Sequence, residues 1–153
     1  ATLVSVYNAS GILSSKLVLR YDSENNLIEE SLYGINQGEL ERKTYNYDAN
    51  RNLREEAKYK LDKISLRTTY NYGKTSELLD ISEESPVSSK FIKKGFTYDP
   101  NGNLTEIRWR RKGNEEVNSI NYTYDSNGIC TKANTWYPAT QYRVMTKYVY
   151  EGH

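Results

Sequence analysis

The sequence predicts an all-β protein, an antiparallel meander of about 12 strands built from two-stranded repeats of 26 residues. Three observations support this fold class: a strand-favouring composition, a recurring Tyr-Asp phrase and a second turn halfway through each repeat. The chain has 153 residues, including 15 Tyr and 2 Trp, which is too aromatic for a disordered chain. Tyr and Thr also favour strands. The length fits one domain, so we expect residues 1–153 to form a single repeat domain.

The repeat is defined by a tyrosine that recurs with spacings of 26, 25, 26, 26 and 26 residues. A leucine follows this motif Tyr six positions later in the first four copies, and a cysteine does so in the fifth. Chance does not produce such a register, so the chain repeats one structural unit. The motif tyrosines are Tyr21, Tyr47, Tyr72, Tyr98, Tyr124 and Tyr150, and the partners are Leu27, Leu53, Leu78, Leu104 and Cys130.

The phrase YDPNGNL has the residues of a three-residue hairpin loop. Asp99 suits the first position of a type I turn and can hydrogen-bond amides further along the loop. Gly102 suits the left-handed position that closes such a loop. Tyr98 then lies opposite Leu104, as a cross-strand pair on one face.

Other copies vary this phrase without losing its register. Asp125 and Gly128 keep the two key residues, whereas Asn25 replaces the glycine with a residue that tolerates the left-handed region. Arg51 occupies the same position in the second copy, where we expect backbone strain.

A second turn lies halfway through each unit, which leaves two strands of about 8 residues per repeat. In the strands that precede each motif Tyr, alternate residues are aromatic or aliphatic and the intervening ones are polar. In the following strands the alternation is weaker, with Leu53, Glu55 and Ala57 predicted on one side. The predicted mid-unit turns are Asn8–Gly11, Gly34–Gly38, Tyr59–Lys63, Ser85–Ser88, Arg111–Glu115 and Tyr137–Thr140.

Only 37% of the residues are hydrophobic, which is little material for a two-sheet sandwich. We therefore expect a single open or curled sheet, with a barrel or half-shell as the alternative. The terminal strands of an open sheet, or its aromatic face, would allow self-association.

The phrases YDPNGNLTEI, YDSNGICTKA, YDANRNLREE and YDSENNLIEE resemble the YD repeat of RHS and teneurin-type proteins. The chain is also similar to short secreted YD-repeat proteins of Bacteroides-type bacteria. This resemblance covers nearly the whole chain, and it implies a structural β repeat without catalytic residues. It also implies a location outside the cytoplasm: secreted, periplasmic or on the cell surface, with a lipid anchor in a full-length form as one alternative.

Residues suited to nucleophilic or metal chemistry are scarce. The chain has one His, His153 at its end, and one Cys, so neither a catalytic dyad nor a zinc site is predicted. The DPNGN segment starts like a calcium loop, but Arg110 stands at the twelfth position, so we predict no metal. No motif predicts a cofactor.

A pair of carboxylates is the remaining candidate for a catalytic site, since a glycosidase uses two carboxyl groups. Four carboxylates share the position eight residues after the motif Tyr, where we expect each to face the residue two before that Tyr. This arrangement is ordinary cross-strand patterning, so a hydrolase is the weakest hypothesis. The four are Glu29, Glu55, Asp80 and Glu106.

Trp109 and Trp136 both lie near the mid-unit turns and are candidates for a ligand platform, together with Tyr137. Arg108 and Arg110 belong to the one basic run. The aromatic residues either form a core or bind a sugar, because aromatic side chains combine a large flat surface with a polar tip. The leading hypothesis is thus a non-enzymatic structural or interaction module, and the alternative is a carbohydrate-binding accessory protein.

The expected partners are therefore an unknown protein or a polysaccharide. A net charge of +1 gives no general attraction to nucleic acid. No apolar run approaches the roughly 18–20 residues of a membrane helix, so no membrane span is predicted.

Overall fold

The computed structural model describes residues 1–150 and contains 12 antiparallel strands with a single short 3-10 turn, Pro138–Thr140. Strand lengths of 6 to 10 residues agree with the predicted two strands per repeat. The strands are β1 (Thr2–Tyr7), β2 (Leu13–Tyr21), β3 (Leu27–Gly34), β4 (Gly38–Tyr47), β5 (Leu53–Lys60), β6 (Lys63–Tyr72), β7 (Leu78–Ser85), β8 (Lys90–Tyr98), β9 (Leu104–Arg111), β10 (Glu116–Tyr124), β11 (Cys130–Tyr137) and β12 (Tyr142–Lys147).

The strands are ordered in the sheet as they are in the chain, from β1 to β12. β1 and β12 are the two ends of this order, so the meander is open, as the sequence predicts, and the barrel alternative does not form. By contacts the chain divides into two compact units, one of residues 1–70 and 83–90, the other of Asn71–Ser82 and the chain from Phe91 onward. No helix within residues 1–150 has the length and apolarity to cross a membrane.

The Tyr-Asp turns have the predicted geometry. In YDPNGNL the amide of Gly102 donates to the carbonyl of Asp99 at 3.0 Å, and the Asp99 amide donates to the carbonyl of Asn103 at 2.9 Å. Gly102 has a φ of 85°, in the left-handed region, and Tyr98 pairs with Leu104. The same loop closes the hairpins after Tyr21, Tyr47 and Tyr124, with the left-handed position filled by the residues Asn25 (66°), Arg51 (65°) and Gly128 (77°).

The strand after each of these turns contains a β-bulge that the sequence did not reveal. The register shifts by one residue next to the motif Tyr, for example between Arg20 and Tyr21. As a result Glu29 pairs with Arg20, not with Leu19 two residues before the motif Tyr. The predicted partner of this carboxylate was therefore wrong. An inserted residue reverses the alternation of all side chains that follow it.

Each unit of the sheet has one face that carries the motif tyrosines, here called the tyrosine face. The opposite face, here called the charged face, carries the residues out of phase with them. The bulge places Leu53 on the tyrosine face and Ala57 on the charged face, so the expectation that they share a side was wrong. Ala57 and Ala133 are the buried hydrophobic residues among residues 1–150. Nearly all other described residues are exposed or half-buried, because one layer of strands cannot cover its own faces.

The mid-unit turns fall where the sequence predicts them, but they differ in type. Leu61 and Asp62 form a two-residue loop with positive φ at both positions, 51° and 58°. This combination defines a type I′ turn, whose twist suits a tight hairpin. The turn at Asn8 instead repeats the Tyr-Asp geometry, since the Gly11 amide donates to the Asn8 carbonyl at 3.0 Å.

Candidate functional site

The motif tyrosines make one contact that recurs through both units. Four of the six motif tyrosines donate a hydroxyl hydrogen bond to the backbone carbonyl of a residue 20 positions earlier, the residue that starts the preceding odd-numbered strand. We call this contact a tyrosine bridge. The bridges are Tyr47 to Leu27 at 2.9 Å, Tyr98 to Leu78 at 3.0 Å, Tyr124 to Leu104 at 2.7 Å and Tyr150 to Cys130 at 2.8 Å.

The hairpin geometry explains the constant separation of 20 residues. Leu27 starts β3 and Tyr47 ends β4, so the two residues meet at the open end of the same hairpin. Tyr47 also pairs with Leu53 across the next turn. One tyrosine therefore joins two successive Tyr-Asp turns, through its hydroxyl on one side and through its cross-strand partner on the other.

Partial burial keeps the hydroxyls of the bridging tyrosines protonated. It raises the pKa of Tyr47, Tyr98 and Tyr124 above the ordinary phenol value, with smaller contributions from nearby acidic groups such as Asp22 beside Tyr47 and Glu77 beside Tyr98. The phenols therefore remain protonated, as donation to a carbonyl requires.

The aspartates of the turns are perturbed in the opposite direction. The side-chain amide of Asn103 donates to the carboxylate of Asp99 at 2.9 Å, and two backbone amides of the loop do the same. Asn26 holds Asp22 in the same way. These hydrogen bonds, with the asparagine side chain the largest contribution, lower the pKa of both carboxyls. The Asp thus remains ionised and fixes the loop.

The sequence predicted the Tyr–Leu pair but missed the hydroxyl bond. A signal for it existed: all six motif positions are Tyr, whereas two residues earlier the chain accepts Leu19 and Phe96 as well as Tyr. A position that tolerates only the hydroxylated aromatic residue indicates a role for the hydroxyl.

The four predicted carboxylates lie on the charged face, and each forms an ion pair with a basic side chain. In one of these pairs the Nζ of Lys93 lies 3.0 Å from a carboxylate oxygen of Asp80. Ion pairs of this kind are ordinary patterning of a strand surface and do not identify a catalytic pair. The pairs are Arg20–Glu29, Arg67–Glu55, Lys93–Asp80 and Arg108–Glu106. Residues 1–150 contain no group of three His, Cys, Asp or Glu side chains arranged to hold a metal ion.

The charged face of β9–β12 contains an open groove of 740 Å³. Trp136 and Arg143 form one side of it, with the Arg143 guanidinium 4.8 Å from the centre of the Trp136 ring. Arg108 forms another side, held by Glu106 and by Glu116, whose carboxylate lies 3.4 Å from its Nε. This groove joins two of the residues that the sequence singled out, Trp136 and Arg108.

The other predicted ligand residues lie elsewhere. The cross-strand pairs Asn118–Trp109 and Ser119–Trp136 place the two tryptophans on opposite faces of the sheet. They therefore do not form one platform. Tyr137 lies on the tyrosine face and stacks on Tyr142, with ring centres 6.4 Å apart. Arg110 is on the charged face but lines a smaller depression of 240 Å³ next to the groove.

The sequence also singled out the one cysteine and the one histidine of the chain. The single cysteine, Cys130, is half-buried and accepts the last tyrosine bridge through its backbone carbonyl. His153 lies outside the described residues.

Comparison with known proteins gives no sequence relative, since no protein-family model and no curated protein matches the chain. The fold itself recurs in solved structures. A Photorhabdus luminescens Tc holotoxin pore matches 95% of this chain and 9% of its own, with a TM-score of 0.53 and 20% identity. The TcdB2–TccC3–Cdc42 structure matches 95% of this chain and 10% of its own, with a TM-score of 0.54 and 20% identity.

This chain thus spans about a tenth of the toxin chains that it matches. At 20% identity the likeness shows the fold alone. It agrees with the β fold that the YD-repeat resemblance implies. A porin-like protein from Bacteroides uniformis matches 92% of this chain and 50% of its own at 12% identity, but its TM-score of 0.47 supports no argument.

Proposed function

We propose that the chain is a non-enzymatic structural module of the YD-repeat type that works at or outside the cell surface. Its regular construction supports this proposal. The tyrosine bridge recurs at one fixed spacing for four of the motif tyrosines, so this recurring residue serves to hold strands together. The fold also forms part of much larger toxin chains, of which such a sheet is only a segment.

The tyrosine bridge is the observation that carries the proposal. A half-buried phenol and a strand-end carbonyl would each lose free energy if left unpaired, and the bridge satisfies both. Its repetition gives the sheet stability without a thick core, as a structural role requires. The four carboxylates support the same proposal, because each lies in an ion pair of the kind that patterns a strand surface.

One edge of β1 has no partner strand among the described residues, and this strand is suited to pair with another. Thr2–Tyr7 carries no charge and no proline, the two features that usually protect an edge strand. Leu3, Val4 and Val6 are 59%, 41% and 44% exposed. We infer that β1 pairs with a strand of a second copy, since its unpaired backbone groups fit any antiparallel strand.

Sedimentation velocity over a range of protein concentrations tests this pairing. The wild-type protein should associate as its concentration rises, and Val4→Lys should weaken the association because it adds a charge to the edge. Val149→Lys is the matched control, since Val149 is 87% exposed and lies outside the strands. A protein that stays monomeric, or associates equally well with Val4→Lys, would contradict the inferred pairing.

The location outside the cytoplasm rests on the YD-repeat resemblance. External protease applied to intact source cells should cleave the protein. Protection that ends only when the cells are lysed would contradict this part of the proposal.

A further inference from the structure

The groove on the charged face of β9–β12 has the properties of a binding site. Its volume of 740 Å³ lies within the range of about 300–1,000 Å³ that is typical of small-molecule sites. Its walls combine an aromatic ring, basic groups and side-chain amides, all within the second compact unit. We propose that this groove binds a carboxylate-bearing oligosaccharide.

Arg143 is the group that would bind the carboxylate. Its guanidinium lies over the Trp136 ring, with Cζ 4.8 Å from the ring centre, and this cation–π contact restrains the group. A guanidinium held in this way matches the two oxygens of a carboxylate. Within residues 1–150 no ion pair uses Arg143, so its donors are available.

The charge of the groove favours an anion. Three basic side chains line it, Arg108, Lys132 and Arg143, against one acidic side chain, Glu106. Arg108 is committed to Glu106 and Glu116, whereas Lys132, like Arg143, has no ion pair among the described residues. The two uncommitted cations lie on neighbouring strands, β11 and β12.

The floor of the groove favours a sugar over an acidic peptide. Asn121 and Asn134 form a cross-strand pair there, and an amide both donates to and accepts from hydroxyl groups. β10 and β11 each pair with a strand on both sides, so their backbone groups are already used in the sheet. A peptide could not add main-chain hydrogen bonds on this face, whereas hydroxyls and a carboxylate need only side chains.

Calorimetric titration of the full chain with a short oligogalacturonide tests the proposal, with a neutral oligogalactoside of the same length as the comparison ligand. The acidic sugar should bind and the neutral one should bind roughly tenfold more weakly or worse, because it lacks the charge-assisted hydrogen bonds. Arg143→Gln should weaken binding of the acidic sugar by a similar factor. Arg110→Gln, on the same face but outside the groove, should leave it unchanged.

A second pair of variants separates the two tryptophans. Trp136→Leu should weaken binding, whereas Trp109→Leu, on the opposite face, should not. The proposal fails if neither sugar binds, if both bind equally or if Arg143→Gln has no effect. Binding of a glutamate tetrapeptide as tightly as the acidic sugar would also overturn it, since the groove would then recognise carboxylate groups alone. A thermal melt of each variant confirms that it is folded.

Discussion

The motif tyrosine makes two contacts, of which a phenylalanine could make only one. Its ring pairs with the leucine across the next turn, and its hydroxyl donates to a carbonyl of the hairpin before it. The Tyr–Leu pair could be predicted from the turn residues, because the type of turn fixes which residues face each other across the hairpin. The second depends on an acceptor 20 residues away, whose position follows only from the register of the sheet.

Arg51 shows backbone strain at a single residue. Its φ of 65° is a conformation that costs a residue with a Cβ roughly 1–2 kcal/mol. Arg51→Gly should therefore raise the free energy of unfolding by about 0.5–1 kcal/mol, after allowance for the greater freedom of glycine in the unfolded chain. The exposed ion pair of Arg51 with Glu24 contributes little to oppose this. Urea unfolding measures the change.

The reciprocal variant is Gly102→Ala. A Cβ at Gly102 would meet no atom within 4 Å, so only the φ of 85° opposes it. It should destabilise the protein by about 1 kcal/mol. If Arg51→Gly lowered stability while Gly102→Ala did not, the left-handed position would not control these loops.

At the scale of the hairpin, the turns followed from sequence and the strands after them did not. Asp, Asn and Gly at fixed offsets determine a loop through local hydrogen bonds, so the loop can be predicted from the sequence without knowledge of the fold. A β-bulge leaves no comparable residue pattern. Simple alternation along the sequence predicted Glu29 opposite Leu19 and Ala57 on the same face as Leu53. The bulge places both Glu29 and Ala57 on the charged face instead.

The hairpins should also lose stability at alkaline pH. Burial raises the folded-state pKa of Tyr47, Tyr98 and Tyr124, while the unfolded chain keeps a phenol pKa of about 10. Their contribution is thus fully present below about pH 10 and is lost as pH rises through the folded-state pKa values, because the unfolded state releases its protons first.

Urea unfolding at several pH values between about 8 and 11, alongside phenolate absorbance, measures this loss. A variant with phenylalanine at these three positions should show a flatter dependence on pH. A wild-type midpoint that does not change over this range would contradict the prediction.

At the scale of the whole molecule, little of the chain is buried. It exposes 10906 Å², against about 8,000 Å² for a compact protein of 17.8 kDa. The low hydrophobic content predicted this single layer. The groove was harder to predict: Trp136 and Arg108 were recognised, but Arg143 and Asn134 meet them only through strand pairing, and the same pairing sends Trp109 to the other face.

Without a thick core, the tyrosine bridges should carry a measurable share of the stability. The most direct measurement is the free energy of unfolding in urea of the triple variant Tyr47→Phe, Tyr98→Phe, Tyr124→Phe. Each loss should cost about 1 kcal/mol. The cost at Tyr47 should add to that of the other two, whereas Tyr98 and Tyr124 both contact Leu104 and should be coupled. Tyr142→Phe, at a residue 60% exposed, is the control and should change nothing. A triple variant as stable as the wild type would contradict the account that the bridges hold the repeats together.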